Sequence, residues 1–170
     1  ATRWTALSNS FQFDIDAIGP KFAVVVGADY SSGDEFYSLI DADGKLTNLN
    51  KHAPDDRQGY ATCRFDNTSV AVCTFLTPAR RSYVVAFDTV QGQELWRLPD
   101  EAARRSAPTV TAVWHGLVYG QADAGPVVLD ARTGKDKLVP SITPVAINAY
   151  AAVAKPSTPE QPIEVYRAIG

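Results

Sequence analysis

An all-β fold, arranged as a β-propeller of about four blades, is what this sequence predicts, on three observations. A short turn pattern returns three times, as Leu39-Ile40-Asp41-Ala42-Asp43-Gly44-Lys45, Ala86-Phe87-Asp88-Thr89-Val90-Gln91-Gly92-Gln93 and Val128-Leu129-Asp130-Ala131-Arg132-Thr133-Gly134-Lys135. Asp41, Asp88 and Asp130 stand 47 and 42 positions apart, in or near the period of about 40–50 residues expected of propeller blades. Apolar stretches of strand length precede each copy, and no helical periodicity is sustained over about a dozen residues. The expected chain is one propeller unit over residues 1–170, with blades near 11–50, 60–98, 107–140 and 145–170.

The elements follow in order. Phe11-Gln12-Phe13-Asp14-Ile15-Asp16 alternates apolar and polar residues as a half-buried strand does, and Phe22-Ala23-Val24-Val25-Val26, after a Gly19-Pro20 turn, reads as a more deeply buried one. Glu35 to Ile40 is the third strand and leads into the first turn copy. The same order recurs as Ala61–Phe65, Val70–Phe75 and Ser82–Phe87, and again as Thr109–Trp114, Leu117–Tyr119 and Pro126–Leu129. His115-Gly116 falls at a hairpin tip, where a Gly turn is expected. A fourth unit starts at Ile147–Val153 and reaches Ile163–Tyr166 across the loop from Lys155 to Pro162. Asp100–Arg105, between two blades, is the one segment that reads as a helical turn.

The repeated turn has a physical logic. An Asp side chain accepts hydrogen bonds from backbone N–H groups about two residues on, and a Gly supplies the positive φ that closes the turn. In the middle copy Ala86, Asp88, Gly92 and Trp96 fall at relative positions one, three, seven and eleven. That spacing resembles the tryptophan-docking motif of the quinoprotein-type (PQQ-like) propeller repeat family, in which each blade's Trp packs against the next blade. The third copy keeps Asp130, Thr133, Gly134 and Lys135 but has Leu138 at the Trp position. The first keeps Asp41 and Gly44 on a shorter turn and has no Trp.

In that family the dehydrogenases bind pyrroloquinoline quinone and calcium in an eight-bladed ring, often beneath a disulfide between adjacent cysteines. Cys63 and Cys73 are ten positions apart, so the resemblance implies the scaffold and not the cofactor. Many similar proteins without the quinone serve binding, among them envelope assembly lipoproteins and extracytoplasmic sensor regions of membrane kinases. Trp4, near the N-terminus, would suit the strand missing from the fourth unit if the termini met, since strand exchange of this kind closes a ring and protects sheet edges. The chain is then either a four-blade unit or about half of a seven- or eight-bladed ring.

The two cysteines bear on the compartment. With a three-residue loop at Asn67–Ser69, Asp66 faces Val70 and Cys63 faces Cys73, and directly opposed residues at a non-hydrogen-bonded pair lie within disulfide range. The pair reads as a structural disulfide in an oxidising compartment, or else as two small buried thiols. A zinc site is not expected, because two cysteines with the distant His52 and His115 do not make a zinc-ligand spacing.

A net charge of −3 removes a general nucleic-acid footprint, and no apolar run approaches the length of a membrane span. There is no nucleophile elbow, phosphate-binding glycine loop or paired-His helix. Asp14 and Asp16 share a strand face that would hold a cation or simply meet solvent, and Asp41-Ala42-Asp43-Gly44 lacks the later ligands of a calcium loop. Arg80-Arg81 and Arg104-Arg105 sit in loops, solvated or facing acidic partners. The expectation is a non-enzymatic extracytoplasmic binding or scaffold module without cofactor or metal. Its partner would be a protein or cell-envelope ligand, or a second copy completing a ring. The alternative is a quinoprotein-like dehydrogenase, or other enzyme fragment, whose site is completed by blades outside the chain.

Overall fold

The computed structural model describes residues 10–29, 35–48, 61–76, 82–138, 142–154 and 162–167. Trp4 and the rest of 1–7, expected as a closing or preceding outer strand, lie outside them, as does the Arg80-Arg81 pair. Among the described residues there are fifteen strands and no helix, and the strands form four antiparallel meanders. The first sheet is β1 (Ser10–Ala17), β2 (Phe22–Asp29), β3 (Glu35–Asp41) and β4 (Leu46–Asn48). The second is β5 (Ala61–Phe65), β6 (Val70–Leu76), β7 (Ser82–Asp88) and β8 (Gln93–Leu98). The third is β9 (Thr109–Trp114), β10 (Leu117–Ala122), β11 (Gly125–Asp130) and β12 (Asp136–Leu138). The fourth has three described strands, β13 (Pro144–Ile147), β14 (Ala151–Ala154) and β15 (Glu164–Arg167).

The first strands of successive sheets approach one another, β1 with β5, β5 with β9 and β9 with β13. Sheets whose innermost strands adjoin in sequence order make a β-propeller-like arrangement. The apolar pattern explains the stacking. In the second sheet Ala71, Cys73, Phe75, Val85 and Phe87 pack with Ile18, Val24 and Leu39 of the first. Their neighbours in sequence, Val70, Val72, Val84 and Ala86, point the other way and pack with Val110, Val113, Val118 and Leu129 of the third. Val70–Phe75 and Tyr83–Phe87 therefore read as nearly continuous apolar runs, because a sheet buried on both faces has no polar side to alternate with.

One expectation is corrected. Asp100–Arg105 is not a helical turn: the N–H and C=O groups of Asp100 and Arg105 exchange two hydrogen bonds of 2.9 Å, and Asp100 Oδ1 accepts from the Ala103 N–H at 3.1 Å. The cap and the two-residue bridge satisfy the backbone within one reversal. In the fourth unit the stretch 147–153 holds a turn between two strands. Asn148 Oδ1 accepts from the N–H groups of Tyr150 and Ala151, at 2.8 and 3.0 Å, and the chain reverses between β13 and β14. An Asn side chain that takes up the following N–H groups makes a turn without needing a Gly.

Candidate functional site

The turn copies form a rim of capped reversals. Asp41 Oδ1 accepts from the N–H groups of Asp43 and Lys45 at 3.0 and 2.8 Å, and Gly44 has φ of 82°. Asp88 Oδ1 accepts from Val90 and Gln91 at 2.8 and 3.0 Å, and the Gly92 N–H donates to the Asp88 carbonyl at 2.7 Å. Asp130 Oδ1 takes the N–H groups of Arg132 and Thr133 at 3.1 and 3.0 Å, and Gly134 closes the turn at 2.8 Å.

These turns also join sheets. The Trp96 indole N–H donates to the Ala131 carbonyl at 2.7 Å, and its ring lies on Gly134, where a Cβ would stand 2.7 Å from the indole. Ala86, buried and opposite Trp96 in the β7–β8 ladder, shares its face and packs in the same core with the third sheet. The first sheet has no Trp, yet the Phe22 ring sits on Gly92, 2.9 Å from the place of its missing Cβ. Phe22 thus does for the first pair of sheets what Trp96 does for the second.

Two charged groups that the repeat pattern does not reveal tie the rim together. Asp66, 1% exposed, ends the strand before Asn67-Thr68-Ser69. Its Oδ1 accepts from the N–H groups of Thr68, Ser69 and Val70 at 2.8, 2.8 and 2.9 Å, and its Oδ2 takes the Thr68 hydroxyl and, at 3.2 Å, the Gly116 N–H of the third sheet. The His115 N–H donates to the Asp66 carbonyl at 2.8 Å, and the His115 ring stacks on Trp114. Burial pushes the Asp66 carboxyl up, but the Thr68 hydroxyl and the three N–H donors outweigh it and hold it below its ordinary value.

Arg132, from the third sheet's turn, reaches back to the second, donating to Asp88 Oδ2 at 2.8 Å and to Ser69 Oγ at 3.1 Å. That guanidinium is the main reason the Asp88 carboxyl lies below its usual value; burial opposes it, and the turn N–H groups add to it. For Asp130 burial is opposed by the Thr133 hydroxyl and N–H, by Lys137 at 3.3 Å and by the Arg132 N–H, with a net lowering. An Asp followed by Asn-Thr-Ser is itself a turn-capping signal and marks Asp66 in the sequence. Nothing in the sequence pairs Arg132 with Asp88.

Cys63 and Cys73 are directly opposed on β5 and β6, with Cα atoms 4.0 Å apart and a disulfide between them. Cys73 is fully buried in the core shared by the first and second sheets. A disulfide persists in oxidising compartments, which fits a place outside the cytoplasm. It is a strand-to-strand bridge inside a hairpin, unlike the vicinal disulfide above the quinone of the dehydrogenases that the repeat resembles.

A cleft of about 190 Å³ opens between the second and third sheets, lined by Leu98, Pro108, Val127 and Leu129 with Arg104 and Arg105 at hand. Arg105 is committed, donating to the Gly134 carbonyl at 2.7 Å and to Asp136 at 2.6 Å. No family model, curated protein or solved structure matches the chain. Among the described residues no group of three or more His, Cys, Asp or Glu could hold a metal ion, and no helix is long and apolar enough to cross a membrane.

Proposed function

We propose that this chain is a secreted or envelope-anchored β-propeller module that binds a protein or cell-envelope ligand and performs no chemistry of its own. The observation that carries the reading is how the rim carboxylates are used. Asp66, Asp88 and Asp130 each direct their oxygens to turn N–H groups, hydroxyls or a cation of the same rim, so their charge is spent on holding sheets in place. What the rim offers a partner is turn surface with exposed cationic side chains such as Lys45 and Lys135. The disulfide supports the compartment, and the spacing of Ala86, Asp88, Gly92 and Trp96 supports the comparison with binding members of the PQQ-like repeat family.

The test uses the oxidised chain in two assays. Sedimentation with isolated bacterial cell envelopes should show saturable binding that competes with unlabelled chain. Addition of pyrroloquinoline quinone and calcium should produce no dye-linked oxidation of alcohols or sugars. Turnover in the second assay would overturn the reading and favour a quinoprotein-like dehydrogenase.

A further inference from the structure

The cleft between the second and third sheets has an apolar wall and a cationic mouth. Val127 and Leu129 alternate onto the face of β11 on which the second sheet packs. Leu129 is buried there, but Val127 is only half-buried, beside Leu98 where β8 ends. Pro108 closes one side of the space and lies against Gly120, where a Cβ would stand 3.2 Å from it and 2.9 Å from the Thr109 carbonyl oxygen. Gly120 and Ala122 share the face of Val127 through the pairs Gly120–Val127 and Ala122–Gly125. With short side chains at these two positions, about 190 Å³ stays open.

The charges at the mouth do not cancel. Asp136, the one carboxylate among the described residues that line the cleft, is paired with Arg105 at 2.6 Å, and Arg105 also donates to the Gly134 carbonyl at 2.7 Å. Arg104 lines the same cleft and is exposed, and its side chain has no hydrogen bond or ion pair among the described residues. Its φ of 52° is a conformation that arginine rarely takes. An uncompensated guanidinium beside an apolar space suits a ligand with a carboxylate next to an apolar group. The volume limits that group. A cavity of about 150 Å³ holds a benzene, whereas pockets for drug-sized ligands start at about 300 Å³, so the cleft takes one branched or aromatic side chain and not a long acyl chain. In the last residue of a polypeptide the side chain and the carboxylate leave one Cα, as so small a site requires. We therefore propose, resting on the reading of the chain as a protein-binding module, that this cleft captures the C-terminus of a partner polypeptide. Its apolar last side chain enters against Val127 and Leu98, and its terminal carboxylate accepts hydrogen bonds from Arg104.

The probes are acetyl-Gly-Gly-Gly-Leu with a free carboxylate, its C-terminal amide, and acetylated tetraglycine with a free carboxylate. In proton–nitrogen NMR spectra of the oxidised chain, the first should saturably shift the backbone amides of Arg104, Ala122, Val127 and Leu129 at concentrations up to about 5 mM. The amide loses the charged acceptor and tetraglycine loses the buried side chain, so each should bind about 10-fold more weakly. Arg104→Asn, whose new side chain suits a positive φ, should weaken the free acid about 10-fold and leave the amide unchanged. Ala122→Leu, which fills the space, should weaken both. No saturable shift at the cleft, or equal binding of acid and amide, would overturn the proposal. Dodecanoate bound more tightly than the peptide would overturn it in favour of a lipid anion. Sedimentation with envelopes separates the two readings: envelope binding by a chain whose cleft ignores the peptide overturns the cleft proposal alone, and peptide binding without envelope binding supports the cleft and counts against an envelope partner.

Discussion

At the position of Gly134 two demands meet. Its φ of 67° is one that side chains resist, and its missing Cβ would stand 2.7 Å from the Trp96 ring. Gly116 has a similar φ of 78° with nothing within 4 Å, so it separates the two effects. Gly116→Ala should cost about 1–2 kcal/mol, the penalty of a left-handed conformation alone. Gly134→Ala should cost more, because the indole must also move and its bond to Ala131 is put at risk. Trp96→Ala, removing a half-buried ring and that bond, should cost about 3 kcal/mol. Denaturant unfolding of the single and double variants gives the coupling. A value of at least about 1 kcal/mol is expected for residues in direct contact, and strict additivity would sink the docking role.

Among the elements, the β5–β6 hairpin is the clearest case of sequence reading carried to atoms. A three-residue loop places Asp66 opposite Val70 and hence Cys63 opposite Cys73, and the ladder has that register. Joining residues ten apart should stabilise the fold by about 2–3 kcal/mol on the chain-entropy view. Urea midpoints measured with and without a phosphine reductant should differ accordingly, and alkylation of the unfolded, unreduced chain should label neither cysteine. Equal midpoints would mean the hairpin is held by its ladder and core alone. The turn copies were equally readable, since an Asp and a Gly a few residues apart cap a reversal with local bonds. The β13–β14 turn escaped because Asn148 does the same work without a Gly. Phe22 on Gly92, Arg132 on Asp88 and Asp66 on Gly116 join groups distant in the chain, 44 and 50 residues apart for the last two. No local pattern encodes them, because they exist only once the sheets are stacked.

Over the whole molecule the two polar contacts among these share one chemistry, a carboxylate charged in the folded state. Asp66 links the second sheet to the third, and Asp88 receives Arg132 across the same boundary. Asp130 holds the turn from which Arg132 departs. All three carboxyls lie below their ordinary value near 4. A carboxyl with a lowered folded value binds its proton more readily once unfolded, so its contribution to stability is complete above the unfolded value and is lost as pH falls through the folded one. The melting temperature should therefore be nearly flat from about pH 7 to 5 and drop below about pH 4. Asp66→Asn isolates one part of this. The amide keeps an acceptor oxygen but turns a donor toward the Thr68 hydroxyl and the Gly116 N–H, costing about 1–3 kcal/mol at neutral pH. Because the variant no longer gains a proton there on unfolding, its stability should fall less steeply in acid, and the two curves should converge as pH drops. Parallel curves down to the acid limit would place the acid sensitivity in other carboxylates and leave Asp66 as an uncharged cap in all but name.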